Sequence, residues 1–244
     1  MQITEEVYLI GSSSFGLSHE FDCNLYAVDC GDELVMIDAG AGLGFSKIVE
    51  NIEKDGLDTA KLTRILLTHS HSDHAGGASA FKDKYGCQIC VSEEEAGFIE
   101  SGTDKDFALD IAKRSGLYSP DYSFKNCRVS VRLKNEDKIK CGDLEFTIIS
   151  IPGHSKGSAA FILDIPGGRA IFTGDSVTAG GIICLLNCDG SSLSDYRKNI
   201  GRFSGLDVDM IFPGHGEFIL AGGQARLNSA VEELKLLAPP KNFL

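Results

Sequence analysis

Seven side chains of this sequence are of the types that hold metal ions, and they recur in compact local patterns. His69, His71, Asp73 and His74 form the run H-x-H-x-D-H. His154 stands in Pro152-Gly-His and His215 in Pro213-Gly-His, while Asp175 stands in Thr173-Gly-Asp. Neutral imidazoles and carboxylates bind an ion when several converge within about 2.0–2.2 Å of it. Alternate residues of one loop can supply several such donors. This donor set suits Zn²⁺ and is also compatible with Fe or Mn. The rival reading is a scatter of surface or capping histidines. The doubled Pro-Gly-His pattern and the Thr-Gly-Asp argue against it.

Each cluster follows an apolar stretch that reads as a strand: Arg64–Thr68, Asp143–Ile151, Arg169–Thr173 and Met210–Phe212. The ligands are therefore expected at strand ends, on loops held by a rigid scaffold. Further strands are expected at Glu6–Ile10, Phe21–Val28, Glu33–Asp38, Gln88–Val91, Arg128–Leu133 and Ser158–Leu163. Helical spacing marks Phe45–Lys54, Ala78–Lys84, Asp104–Arg114, Ser194–Phe203 and Ala221–Leu237. Ser92, followed by Glu93, Glu94 and Glu95, reads as a helix N-terminus and nothing more. The pattern predicts one α/β domain over 1–244, of two packed sheets flanked by helices, with a helical insert at about 93–127.

The chain has 244 residues, with 35 acidic against 23 basic side chains and a formal charge of -12. That sign disfavours a nucleic-acid reader, which wants a basic face, and charge-driven docking on anionic lipid. No apolar run is long enough for a membrane span, and the N-terminus lacks the pattern of a signal peptide. The expectation is a cytoplasmic enzyme acting on a small molecule, without nucleic acid or membrane. The eight cysteines then read as reduced thiols.

These motifs resemble those of the metallo-β-lactamase superfamily. The resemblance runs from Asn24-Leu-Tyr and Val35-Met-Ile-Asp38-Ala-Gly through His215, with every ligand motif in order. It implies a four-layered αβ/βα sandwich. It implies that His69, His71 and His154 hold one metal, that Asp73, His74 and His215 hold a second, and that Asp175 bridges the two. Two divalent ions, Zn²⁺ first among the candidates, would keep open positions for a bridging hydroxide that attacks the substrate. Asp73 would both bind metal and orient that nucleophile, as the catalytic residue. Asp38 would support the metal loop from behind.

Departures from subfamily patterns narrow the substrate. The lactamases proper place a cysteine or serine at the position of Asp175. An aspartate there is similar to glyoxalase II, lactonases, phosphodiesterases and tRNA-processing nucleases. Flavodiiron proteins carry a glutamate at the position of His71. Only 29 residues follow His215, too few for the glutathione-binding domain of glyoxalase II. No basic arm of the tRNA nucleases is visible, and no tyrosine lies between Asp175 and Tyr196, unlike the acyl-homoserine lactonases.

Phe98, Phe107, Tyr118 and Tyr122 of the insert, and Ile182, Ile183, Leu185 and Leu186 after Asp175, are candidate pocket walls. The reading is a metal-dependent hydrolase of a carboxylic ester, thioester or lactone. The alternatives are a phosphodiester hydrolase with the same metals and a mononuclear iron oxidoreductase similar to persulfide dioxygenases. His19 and Lys156 read as surface residues. Cys87-Gln-Ile-Cys90, Cys184 and Cys188 read as packing residues.

Overall fold

The computed structural model describes residues 1–243. The chain divides into two compact units, Met1–Leu133 and Lys134–Leu244, each built on one sheet.

In the first unit, short Val-, Ile- and Leu-rich runs broken by glycine and aspartate form the strands. The strands β1 (Val7–Gly11), β2 (Leu25–Asp29) and β3 (Leu34–Ile37) pair antiparallel. Three strands follow in parallel: β4 (Leu62–Leu66), β5 (Gln88–Ser92) and β6 (Val131–Leu133). Parallel neighbours need crossovers, and helices supply them. They are α1 (Phe45–Lys54) before β4, then α2 (Ser72–Ala75) and α3 (Ala78–Tyr85) before β5, then α4 (Glu93–Ser101) and α5 (Leu109–Arg114) before β6. Helix α1 buries Ile48, Val49 and Ile52 as one stripe. They pack with Ile10, Leu25, Met36, Ile65 and Ile89 from the strands, in a core that also takes Cys87.

The insert is less helical than its sequence suggests. The helix expected over 104–114 forms only at Leu109–Arg114, because Ala108 is left-handed at φ 58° and stops it on the N-terminal side. Phe107, Leu109 and Tyr118 bury one another in a small cluster, joined by Phe21, Phe98, Tyr122 and Phe124.

The second unit is a meander of β7 (Lys138–Cys141), β8 (Leu144–Ser150), β9 (Ala159–Ile165) and β10 (Gly168–Gly174). The strand β11 (Met210–Pro213) then lies parallel to β10. Two antiparallel steps separate β8 from β10, so β8, β10 and β11 all run the same way and end at one edge of this sheet. Helices α6 (Leu193–Asn199), continued by a 3-10 turn at Ile200–Phe203, and α7 (Gly223–Glu233) bury Tyr196, Phe203, Leu227 and Val231 against Ile149, Ile162 and Ile171. The closing helix is thus shorter than the expected 221–237. Ile183 packs into this core, with Leu185 against it, rather than standing as an open wall after Asp175. Among the described residues no helix is long and apolar enough to cross a membrane.

Candidate metal ligands

In the first unit the chain leaves the buried, parallel β4 and turns at once through Thr68, His69, Ser70 and His71 into α2, which carries Asp73 and His74. The structure brings these four predicted ligands together. His69 Nε2 lies 3.1 Å from His71 Nδ1. The His69 and His74 rings are 4.1 Å apart, and Asp73 Oδ2 lies 3.5 Å from His74 Nε2. His69, His71 and His74 are buried, while Asp73 is about a quarter exposed at 27%.

Their orientation comes from Asp38, which follows β3. Asp38 Oδ2 accepts from His74 Nδ1 at 2.8 Å. Its Oδ1 accepts from the Thr68 amide at 2.7 Å, and the Thr68 hydroxyl donates to the same carboxylate at 2.9 and 3.1 Å. A hydroxyl has one hydrogen. Since the Thr68 hydrogen goes to Asp38, the 3.0 Å contact from His69 Nδ1 must place its proton on the histidine. One carboxylate therefore puts the protons of His69 and His74 on Nδ1 and leaves both Nε2 atoms unprotonated, that of His69 facing His71 Nδ1. Burial pushes the Asp38 carboxyl up, and His74 and the Thr68 donors oppose that rise.

Backbone contacts lock the two loops. Ala39 N donates to His74 O at 2.7 Å and Gly77 N to Gly40 O at 2.8 Å. A Cβ on Gly77 would stand 2.1 Å from Ala39 O, so no other residue fits. Tyr122 of the insert adds a bond from its hydroxyl to Ala41 O at 2.7 Å.

In the second unit His154, Asp175 and His215 follow β8, β10 and β11, the three strands that end at one edge. The structure brings these three together as well. Asp175 Oδ2 lies 3.5 Å from His154 Nε2 and 3.4 Å from His215 Nε2. His154 Nδ1 is 2.6 Å from Cys184 O, an acceptor only, so its proton is on Nδ1 and Nε2 is the lone pair. The Tyr196 hydroxyl is shared between Cys184 O at 3.1 Å and Asp175 O at 3.3 Å. A Cβ on Gly153 would meet the Tyr196 ring at 2.5 Å, which explains the glycine before His154.

The donor chemistry fits a metal. Ligands about 2.0–2.2 Å from a tetrahedral ion stand roughly 3.3–3.6 Å from one another. The Asp73–His74, His154–Asp175 and His215–Asp175 spacings of 3.5, 3.5 and 3.4 Å fall in that range.

A family model described as the metallo-beta-lactamase superfamily matches residues 20–215. The chain belongs to that superfamily. Among its relatives, an acyl-coenzyme A thioesterase of Gallus gallus is 28% identical over 228 residues, 84% of this chain and 78% of that protein. A probable metallo-hydrolase of Methanocaldococcus jannaschii is 24% identical over 201 residues, 81% of this chain and 89% of that one. The chain is similar in fold to a metallo-beta-lactamase of Cronobacter sakazakii, with TM-score 0.75 at 21% identity, covering 96% of this chain and 94% of the other. The two-sheet α/β architecture is the metallo-beta-lactamase fold, and the protein is an enzyme, a hydrolase of this superfamily.

Several supporting residues carry no visible sequence signal. Glu95, expected only to start a helix, is fully buried and accepts from the Ser70 amide at 2.5 Å. Ser92 occupies the N-cap position without making a side-chain cap bond. Cys184 contributes through its carbonyl, which any residue would offer. His19 is half-buried against Phe21 at 5.3 Å, and Lys156 is exposed.

Proposed function

We propose that this enzyme hydrolyses an acyl ester, thioester or lactone at a dinuclear metal centre. The observation that carries the proposal is the fixing of histidine tautomers. His69 and His74 in one unit and His154 in the other each hold Nδ1–H in a hydrogen bond and keep Nε2 for a ligand. Such orientation is the mark of metal-binding imidazoles. The proposal takes His69, His71 and His154 as ligands of one ion, Asp73, His74 and His215 as ligands of the second, and Asp175 as shared by both. It thereby takes residues 1–244 as one working domain, in keeping with a family match that runs through all seven.

Two divalent ions, proposed as Zn²⁺, supply Lewis acidity and an activated water when bound. The chain's own residues do the rest. Asp175 Oδ2 lies 3.5 and 3.4 Å from the Nε2 atoms of His154 and His215, and in this reading the carboxylate is the ligand the two ions have in common. In this reading Asp73, the more exposed of the two α2 side chains Asp73 and His74, orients the nucleophile and takes its proton. Tyr118, beside Ser72 and Asp73 of α2 with Phe21 stacked on its ring, gives an apolar wall that favours an acyl group over a polyanion.

The thioester class is supported by the 28% identity to a protein named as an acyl-coenzyme A thioesterase. The test is turnover of p-nitrophenyl acetate, γ-butyrolactone and butyryl-coenzyme A by zinc-loaded protein, with bis-p-nitrophenyl phosphate beside them. Acyl turnover abolished in Asp175→Asn supports the reading. Turnover of the phosphodiester alone overturns it.

A further inference from the structure

The insert carries a tyrosine whose hydroxyl does nothing for its packing. Tyr118 is only 5% exposed. Its ring stacks on Phe21 with centroids 4.6 Å apart and tilts against Tyr122 at 4.8 Å. A phenylalanine would fill that space equally well. The hydroxyl is shielded from solvent and has no hydrogen-bond partner. The Ser72 hydroxyl is the polar group beside it, and Asp73 and His74 are the proposed ligands whose charges act on it. Buried hydroxyls without a partner are costly and rare in native proteins, so one set against a ligand helix calls for an explanation. Neighbouring Tyr122 makes the contrast, because its hydroxyl is spent on the Ala41 carbonyl.

We propose that the Tyr118 hydroxyl is a substrate-touching donor that hydrogen-bonds the oxyanion formed on the acyl carbonyl oxygen during hydrolysis. This rests on the acyl-hydrolase reading above. In the step concerned, the oxygen of a water adds to the carbonyl carbon and the π pair moves onto the carbonyl oxygen. Collapse re-forms the C=O and breaks the C–O or C–S bond, and the alcohol or thiol leaves with a proton derived from that water. Tyr118 shares its proton and does not give it up, so the phenol is unchanged after turnover. A donor that meets the oxyanion and not the resting enzyme favours the transition state.

The experiment compares zinc-loaded wild type with Tyr118→Phe, and Tyr122→Phe serves as a stability control. The expected result for Tyr118→Phe is a fall in kcat of about 10- to 100-fold on p-nitrophenyl acetate or butyryl-coenzyme A, with KM within about twofold. Its metal content should match wild type, and its melting temperature should be equal or higher, since no bond is lost. Tyr122→Phe should melt lower. Calorimetric binding of methylphosphonate, a tetrahedral anion, should weaken about tenfold in Tyr118→Phe.

A Tyr118→Phe kcat within twofold of wild type overturns the donor role and leaves the hydrolase reading standing. Wild type that turns over neither substrate, yet loses methylphosphonate affinity on Tyr118→Phe, overturns the acyl-hydrolase reading and keeps the hydroxyl as an anion donor. Wild type that neither turns over substrate nor binds methylphosphonate overturns both.

Discussion

Oδ2 of Asp38 lies 2.8 Å from Nδ1 of His74, and both side chains are buried. The same carboxylate takes the Thr68 hydroxyl, which in turn accepts from His69. Two candidate ligand histidines from the H-x-H-x-D-H run are thus aimed by one aspartate more than thirty residues upstream. Asp38 sits at φ 62°, a left-handed conformation that aspartate and asparagine tolerate better than most residues. Its backbone conformation is therefore compatible with an asparagine replacement.

Asp38→Asn tests the aspartate's role without disturbing that backbone. It removes the charge and half of the acceptor capacity that hold Thr68 and His74. Metal affinity should fall by about 10- to 100-fold, the usual cost of losing an outer-shell partner. Competition against a chromophoric chelator reads this directly. Unchanged affinity would show that His74 needs no such support.

Gly153 is predicted to be intolerant for a steric reason, in contrast to Gly97. A Cβ at 153 would enter the Tyr196 ring at 2.5 Å, whereas Gly97 in α4 has nothing within 4 Å of the same position. Gly153→Ala should cost about 1–3 kcal/mol by overpacking and disturb the His154 loop. Gly97→Ala should stabilise by up to about 1 kcal/mol by improving helix propensity. Urea unfolding of the two variants gives both signs.

Burial pushes the Cys87 and Cys127 thiols up to about 11. Only the thiolate is alkylated. Iodoacetamide labelling of the half-buried Cys127 in native protein should therefore keep rising roughly tenfold per pH unit through pH 10, with the thiolate fraction levelling only near its raised pKa. Mass-spectrometric mapping of initial rates checks it. A plateau near pH 9 would mean that the thiol behaves as an ordinary exposed one.

Much of this was legible from the sequence, for reasons that differ between elements. Helix α1 has the expected bounds, Phe45–Lys54, because its apolar stripe is regular and Lys54 is followed by a turn. Strand β7 was not foreseen. Its Lys138-Ile-Lys-Cys141 exposes both lysines, so its apolar signal is only two residues long. The candidate ligands stood out because each lies in a short local motif after a strand. Their supports did not. Glu95 reaches Ser70 across 25 residues and Cys184 reaches His154 across 30, and such partners leave no mark on local spacing. Glu95 even looked like a helix-start charge, since three acids in a first turn suit the helix dipole whether or not one of them turns inward.

The central claim is that the seven side chains hold two ions, and metal content tests it most directly. Protein purified without added metal should carry two divalent ions per chain by plasma mass spectrometry, and Asp175→Asn should lose at least one of them while remaining folded. One iron per chain, with no second ion bound on titration with zinc, would contradict the dinuclear account.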